Sequence, residues 1–409
     1  MPSQEQLKKY ADVLLRVGLN IQSGQPLVIN APIETAPFVR ILTERAYVAG
    51  ASRVSIHWHD ALTERVQLQM ESEENLQHVP RWFIARADEV MEENSASLHI
   101  AADNPDVFKD VPPQRLSLRQ RAIGEKLRHI NQKFMEDEIT WLVASMPTAD
   151  WAKKMYSELP TDEAIEKLWD TIFTVMRMNA EDPILAWQTH LNGLKQRAAF
   201  LNEKHFAKLH YTAPGTDLWI TLPETHRWQA ADSVNVQGTT FTANLPTEEV
   251  YTLPYKYGVE GTVVSTMPLS HNGVIIENIQ LRFEGGRIVE YHASRGEETL
   301  KEIIELDDGS HYLGEVALVP ISSPIYQLQQ LFYNTLFDEN ASCHLAIGKA
   351  YPTCLTNGKG KSEQELIDMG VNDSLNHVDF MIGSNQLNID GVTQDNQIVP
   401  LFQNGEWVI

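Results

Sequence analysis

The sequence predicts an open α/β domain followed by a β-rich α+β domain. Three observations carry that expectation. Apolar strand-like runs alternate with helical patterns through the N-terminal half. From about Lys208 the texture turns to short strands broken by glycine turns. The length, 409 residues, suits two domains of ordinary size. The division falls near residue 205, giving domains 1–205 and 206–409.

Pro26 to Asn30 (PLVIN) is a short apolar run after the turn signal SGQ. Glu34 to Ala49 spreads Phe38, Ile41, Leu42 and Ala46 at helical spacing and stops at Gly50, a helix-ending residue. Ser52 to Trp58 (SRVSIHW) then reads as a second strand, completing a βαβ unit. Leu98 to Ala101 and Thr140 to Ser145 repeat the pattern, which favours a mainly parallel sheet with helices on its faces. Residues 161–204 are helix-rich. LHYTAPGTDLWITLP, FTANLPTEEVYTLP and VIIENIQLRFEGGRIVEYHA are strand-like, with Gly285-Gly286 as a hairpin turn.

Composition narrows the function. Lys and Arg total 33 against 55 Asp and Glu, a formal charge of -22. An acidic surface of this kind argues against nucleic acid or an anionic membrane as partner. Two cysteines make no disulfide framework and suit a reducing cytoplasm. The opening MPSQEQLKKY lacks a signal-peptide core, and runs such as Val316 to Ile321 are too short to span a bilayer. The expected setting is cytoplasmic.

Nucleotide binding is disfavoured. The first strand is followed by INAPIETAP, without the glycines that let a backbone approach a pyrophosphate, and no GxxxxGK[ST] loop occurs. His57, His59 and Asp60 at a strand end read more simply as an exposed terminus than as metal ligands. NHVDFMIG is richer. His377 and Asp379 are two apart in a strand, so both project from one face. Phe380, Met381 and Ile382 imply burial, and a buried Asp must be paired or bound to a cation. Glu315 in YLGEVALVP, Glu248 and Glu249 in NLPTEEVYTLP, and His344 in ENASCHLAIGKAYP share that polar-in-apolar character. Singly, each is more often a solvated strand-end Glu or a satisfied core His.

Taken together, LPTEEVYTLP, YLGEVALVP, LFDENASCHLAIGKAY and NHVDFMIGS resemble the thermophilic aminopeptidase T / aminopeptidase S family of dinuclear metallopeptidases. YADVLLRVGLNIQSGQPLVI and RAYVAGASRVSIHWHD extend the resemblance to nearly the whole chain. It implies metal ligands at Glu249, Glu315, His344, His377 and Asp379, with Tyr351 as a ligand or close neighbour. The family commonly has LPTGEV where this chain has LPTEEV, so Glu249 takes the ligand position and Glu248 is expected to face away. The resemblance further implies a homodimer with an enclosed active site, in which residues 206–409 form the metal-binding catalytic domain.

Carboxylate and imidazole donors without thiolates suit two divalent ions, Zn, Co or Mn. Three carboxylates and two such ions leave one positive charge, which a bridging hydroxide would cancel. Ions roughly 3.5–4 Å apart can generate that nucleophile and polarise a carbonyl. Tyr351 would then bond the oxyanion, and Glu315 or Glu339 would shuttle protons. The expected activity is a metal-dependent aminopeptidase acting on peptides with a free N-terminus. The alternatives are a dinuclear metallohydrolase of another amide and a non-catalytic peptide- or metal-binding relative. A thiol hydrolase built on Cys343 is disfavoured, because Cys343 and His344 are strand neighbours and point oppositely.

Overall fold

A computed structural model describes residues 1–230 and 232–409. The chain divides into two compact units, Met1–His190 with Asp232–Pro246, and Leu191–Ala231 with Thr247–Ile409. The division falls inside the long helix Pro183–Lys204, whereas the sequence places it after that helix, near residue 205. Among the described residues, no helix is long and apolar enough to cross a membrane.

The first unit holds a four-stranded parallel sheet in the order Arg53–His59, Pro26–Pro32, Ala96–Ile100, Trp141–Ala144. The expected βαβ unit is its first part. Helix Ala36–Ala49 connects two strands and ends at Gly50, whose φ of 111° satisfies the left-handed C-cap. Helix Gln4–Val13 starts with a capping box, Ser3 accepting from the Gln6 N–H and Gln6 reaching back to Ser3. Tyr10, Phe38, Trp169 and Phe173 pack with ring centroids between 5.2 and 6.2 Å apart. Buried aromatic groups of this size each contribute about 1.5–3 kcal/mol through burial alone.

The second unit holds two large antiparallel sheets and a two-stranded hairpin of Leu269–His271 with Val274–Ile276. Eight strands run in the order Arg287–His292, Gln280–Glu284, Val259–Val264, Thr216–Thr221, Lys208–Ala213, Asn388–Val392, Ile398–Gln403, Glu406–Trp407. Five run in the order His377–Met381, His344–Gly348, Leu313–Leu318, Val250–Thr252, Gln229–Ala230. One apolar core joins them, with Leu209, Ile220 and Phe283 from the larger sheet and Val316, Leu345 and Phe380 from the smaller. The hairpin expected at Gly285-Gly286 forms with φ of 54° and 79°, the positive pair that a two-residue turn requires and glycine supplies. FTANLPTEEVYTLP differs from its strand-like reading. Thr240–Phe241 and Val250–Thr252 pair as strands and Asn244 makes an isolated bridge to Val143, but Pro246 has no N–H to offer a ladder and residues 247–249 loop instead.

Candidate metal centre

The site begins as a register problem. In the five-stranded sheet Glu315 pairs with Ala346, and Ala346 with Asp379. His344 pairs with Ala317 and Met381, and Gly348 with His377. Cross-strand partners share a face, so Glu315, His344, His377 and Asp379 project together. The other face carries Leu313, Val316, Leu345, Ile347, Val378 and Phe380 into the core. Glu315 would belong to that core face, two residues after Leu313, were the ladder regular. A bulge between Leu313 and Glu315 turns it over. Gly314 sits in the bulge, where a Cβ would collide with the carbonyl oxygens of Gly348 and Lys349.

Glu249 joins from the loop before Val250–Thr252. The Glu248 N–H donates to Asn340 Oδ1 at 2.7 Å, and Asn340 Nδ2 donates to the Leu336 carbonyl at 3.0 Å. A fully buried Asn thereby fixes the loop's path. His344 Nε2 lies 3.2 Å from Glu249 Oε2, 3.6 Å from Glu315 Oε1 and 4.0 Å from Asp379 Oδ1. His377 Nε2 lies 3.4 Å from Glu315 Oε2 and 3.5 Å from Asp379 Oδ1. Each ring turns Nε2 inward because its Nδ1–H is engaged by a backbone carbonyl, Ser342 O at 3.2 Å for His344 and Lys349 O at 2.7 Å for His377. Such bonds set the tautomer in which Nε2 is a free lone pair.

Charge is badly balanced in this pocket. Glu249, Glu315 and Asp379 are buried together, and Glu339 feels Asp379, Glu249 and Glu315. Burial pushes Glu315 and Glu339 above the usual carboxylate range, and neighbouring carboxylates push further. Burial would lower both histidines, yet the carboxylates raise His344 well up and His377 to about 10. The Tyr351 phenol is held far above its ordinary value by burial and then by the acidic cluster, so it stays protonated. Asp379 Oδ1 is buried with no hydrogen-bond donor. An orphaned carboxylate oxygen among buried acids is the condition that a cation relieves. The ligand atoms form two groups, Glu249–Glu315–His344 and Glu315–His377–Asp379, which share Glu315. Oxygen and imidazole nitrogen in these numbers fit divalent ions.

The structure thus brings Glu249, Glu315, His344, His377 and Asp379 together. It sets Tyr351 beside them, its ring 5.1 Å from that of His377. Glu248 is 4% exposed and outside both groups, and its charge is felt by Arg197. Cys343 lies on the core face, its thiol donating to the Val319 carbonyl at 3.3 Å and pushed up to about 12 by burial. In the first unit, Asp60 caps helix Ala61–Met70 and His59 pairs with Asp103. One neighbour escaped the sequence reading. Tyr251 pairs with Ala317 on the site face and packs edge-on to Tyr351 at 6.2 Å. Its position two residues after Glu249 was the available signal.

The sequence matches the thermophilic metalloprotease (M29) family over residues 3–407. It is 46% identical to aminopeptidase AmpS of Bacillus subtilis (strain 168) over 403 residues, covering 98% of each chain. It is 40% identical to aminopeptidase T of Thermus aquaticus over 406 residues, covering 99% of each. The solved structure of wild-type AmpT from Thermus thermophilus superimposes with a TM-score of 0.93 at 37% identity, covering 99% of this chain and 100% of that one.

Proposed function

The chain belongs to the thermophilic metalloprotease (M29) family and is a metal-dependent aminopeptidase, and on that premise we propose that Glu249, Glu315, His344, His377 and Asp379 hold two divalent ions. The observation that supports this reading is the placement of Glu315. Its Oε1 faces His344 and its Oε2 faces His377, so it is the carboxylate we assign to both ions. Bound there, the ions would supply Lewis acidity and make an attacking water acidic near neutral pH.

The chain's own groups do the rest. The Tyr351 phenol, protonated beside His377, donates its Oη–H to the oxygen on which negative charge develops. With Glu315 committed between the imidazoles, Glu339 is the carboxyl free to hold a proton and pass it to the leaving amine. The acidic pocket favours a free α-amine over an acyl cap, so substrates are peptides with an unblocked N-terminus. A donor set of carboxylate and imidazole without thiolate suits Zn, Co or Mn. We place catalysis in residues 206–409, the setting in the cytoplasm, and the working form as a homodimer.

Elemental analysis of the purified protein is the direct test. Two ions per chain are expected. Glu315→Ala should lose both while its circular dichroism is unchanged. A full metal complement in Glu315→Ala would overturn the assignment.

A further inference from the structure

The short helical turn Glu339–Ala341 carries a fully buried amide, that of Asn340. Its Oδ1 accepts the Glu248 N–H at 2.7 Å. Its Nδ2 donates to the Leu336 carbonyl at 3.0 Å and also to Glu339 Oε1 at 3.4 Å. These partners fix which way the amide faces. Turned over, it would set N–H against the Glu248 N–H, and oxygen against both the Leu336 carbonyl and the Glu339 carboxylate. The main chain is pinned as well. The Asn340 carbonyl accepts from Ser323 Oγ at 2.8 Å, and Ser323 Oγ in turn accepts from the Ile325 N–H at the start of helix Pro324–Gln327.

The amide therefore touches two groups that serve the metal centre. On one side, Glu248 immediately precedes Glu249, whose Oε2 lies 3.2 Å from His344 Nε2. On the other, the turn Glu339–Ala341 packs against strand His377–Met381, the strand of His377 and Asp379. Glu339 is partly exposed, and among the described residues Asn340 is the only hydrogen-bond donor to its carboxylate. That bond engages Oε1 and leaves Oε2 free. At 3.4 Å it is long, as bonds to catalytic groups commonly are before substrate binds. A carboxylate that moves a proton gains from such an asymmetry, because a side chain held by one oxygen keeps the other aligned with its target.

We propose that Asn340 is a positioning residue for the peptidase reaction, its one amide aligning both the metal ligand Glu249 and the proton carrier Glu339. The inference rests on the reading of Glu339 as the carboxyl that passes a proton to the leaving amine. With Oε1 held, Oε2 takes the proton of the attacking water and delivers it to the amine nitrogen as the C–N bond breaks. Asparagine suits both tasks. Aspartate would keep the acceptor but offer at most one of the two donors, and alanine would supply neither.

Metal affinity, measured by competition with a chromophoric chelator, separates the two tasks from kcat and KM on a tripeptide with a free N-terminus at saturating metal. Asn340→Ala should bind metal at least tenfold more weakly, because the Glu249 loop is released, and should lose at least tenfold in kcat when fully loaded. Asn340→Asp still accepts the Glu248 N–H, so its metal affinity should stay within about threefold while kcat falls at least tenfold and KM holds. It also serves if Asn340→Ala does not fold. Glu339→Gln alone should lower kcat by two or more orders of magnitude. Adding Asn340→Asp to Glu339→Gln should then cost less than about threefold, whereas a purely structural asparagine would cost the same in either background. The proposal alone is overturned if Glu339→Gln is impaired while the Asn340 variants, saturated with metal, turn over as the wild type does, or if Asn340→Asp costs the same in both backgrounds. A fully active Glu339→Gln would overturn the proton-carrier reading and this proposal with it.

Discussion

Glu315 and Asp379 stand on one rung of the five-stranded sheet with only Ala346 between them. On a flat antiparallel surface, side chains two strands apart meet across the intervening residue only if that residue is small. The methyl of Ala346 forms the floor between the carboxylates, and it is fully buried.

Ala346→Leu should therefore empty the centre without unfolding the protein. The added carbons have nowhere to go but between the two carboxylates, at a packing cost of about 1–3 kcal/mol. Metal content should fall at least tenfold while the far-ultraviolet spectrum is retained. Normal metal content would mean the floor has room that the register does not reveal.

Gly314→Ala tests the bulge. The new methyl would meet the backbone oxygens of Gly348 and Lys349, which cannot rotate away as a side chain can. We expect a loss of roughly 3 kcal/mol in urea denaturation, with turnover reduced even under conditions where the variant is folded. A variant as stable and active as the parent would show that another residue can sustain the bulge.

These two positions mark what the sequence could and could not reveal. The α/β half was legible because each strand and helix announces its own period, as in Pro26–Pro32 and Ala36–Ala49 with its terminal Gly50. His377 and Asp379 were legible as a pair because a strand's alternation is local. Glu315 was legible as a polar residue in an apolar run, but its face was not, since simple alternation from Leu313 puts it in the core and only the bulge returns it to the site face. The convergence of the four segments is long-range, and the resemblance to a known family supplied it in place of any local signal. The strand-like reading of 241–254 failed at Pro246 and the loop after it, where a buried Asn340 holds the backbone in place of a ladder.

Adjacent glutamates at 248 and 249 should behave oppositely. Glu249 lies 3.2 Å from His344, whereas Glu248 is outside both ligand groups. Glu249→Ala should lower kcat/KM by two or more orders of magnitude and reduce bound metal. Glu248→Gly should keep both within a few-fold. The reverse pattern would mean that the loop is read one residue out of register.

His226 gives the fold an acid-sensitive point away from the metal. It is buried and stacked on His205 at 4.6 Å, with Nδ1–H donating to the Pro223 carbonyl at 2.8 Å. Nε2 is buried with no partner, and burial lowers the pKa to about 4. The unfolded chain, with an ordinary imidazole near 6.5, therefore binds the proton first as pH falls. The stability held at neutral pH should be lost progressively between about 6.5 and about 4, by up to about 3 kcal/mol. His226→Phe should flatten that part of the profile when urea midpoints are compared at pH 7 and 4.5. An unchanged slope would remove His226 as its source.

The last prediction sets the metal against the thiol. Cys343 is next to His344 in sequence but on the opposite face, hydrogen-bonded to Val319, and at a pKa near 12 only about one thiol in 10⁵ is ionised at neutral pH. Cys354 is equally buried. An alkylating reagent needs both access and thiolate, and neither cysteine offers them together. Iodoacetamide should therefore leave peptide hydrolysis intact and both thiols countable once the protein is denatured. Chelation should act the other way. It removes the charge that the buried carboxylates require, so turnover should be lost, and added Zn, Co or Mn should restore it. Chelator-resistant activity that alkylation destroys would transfer the chemistry to Cys343 and leave the five converging ligands without a catalytic role.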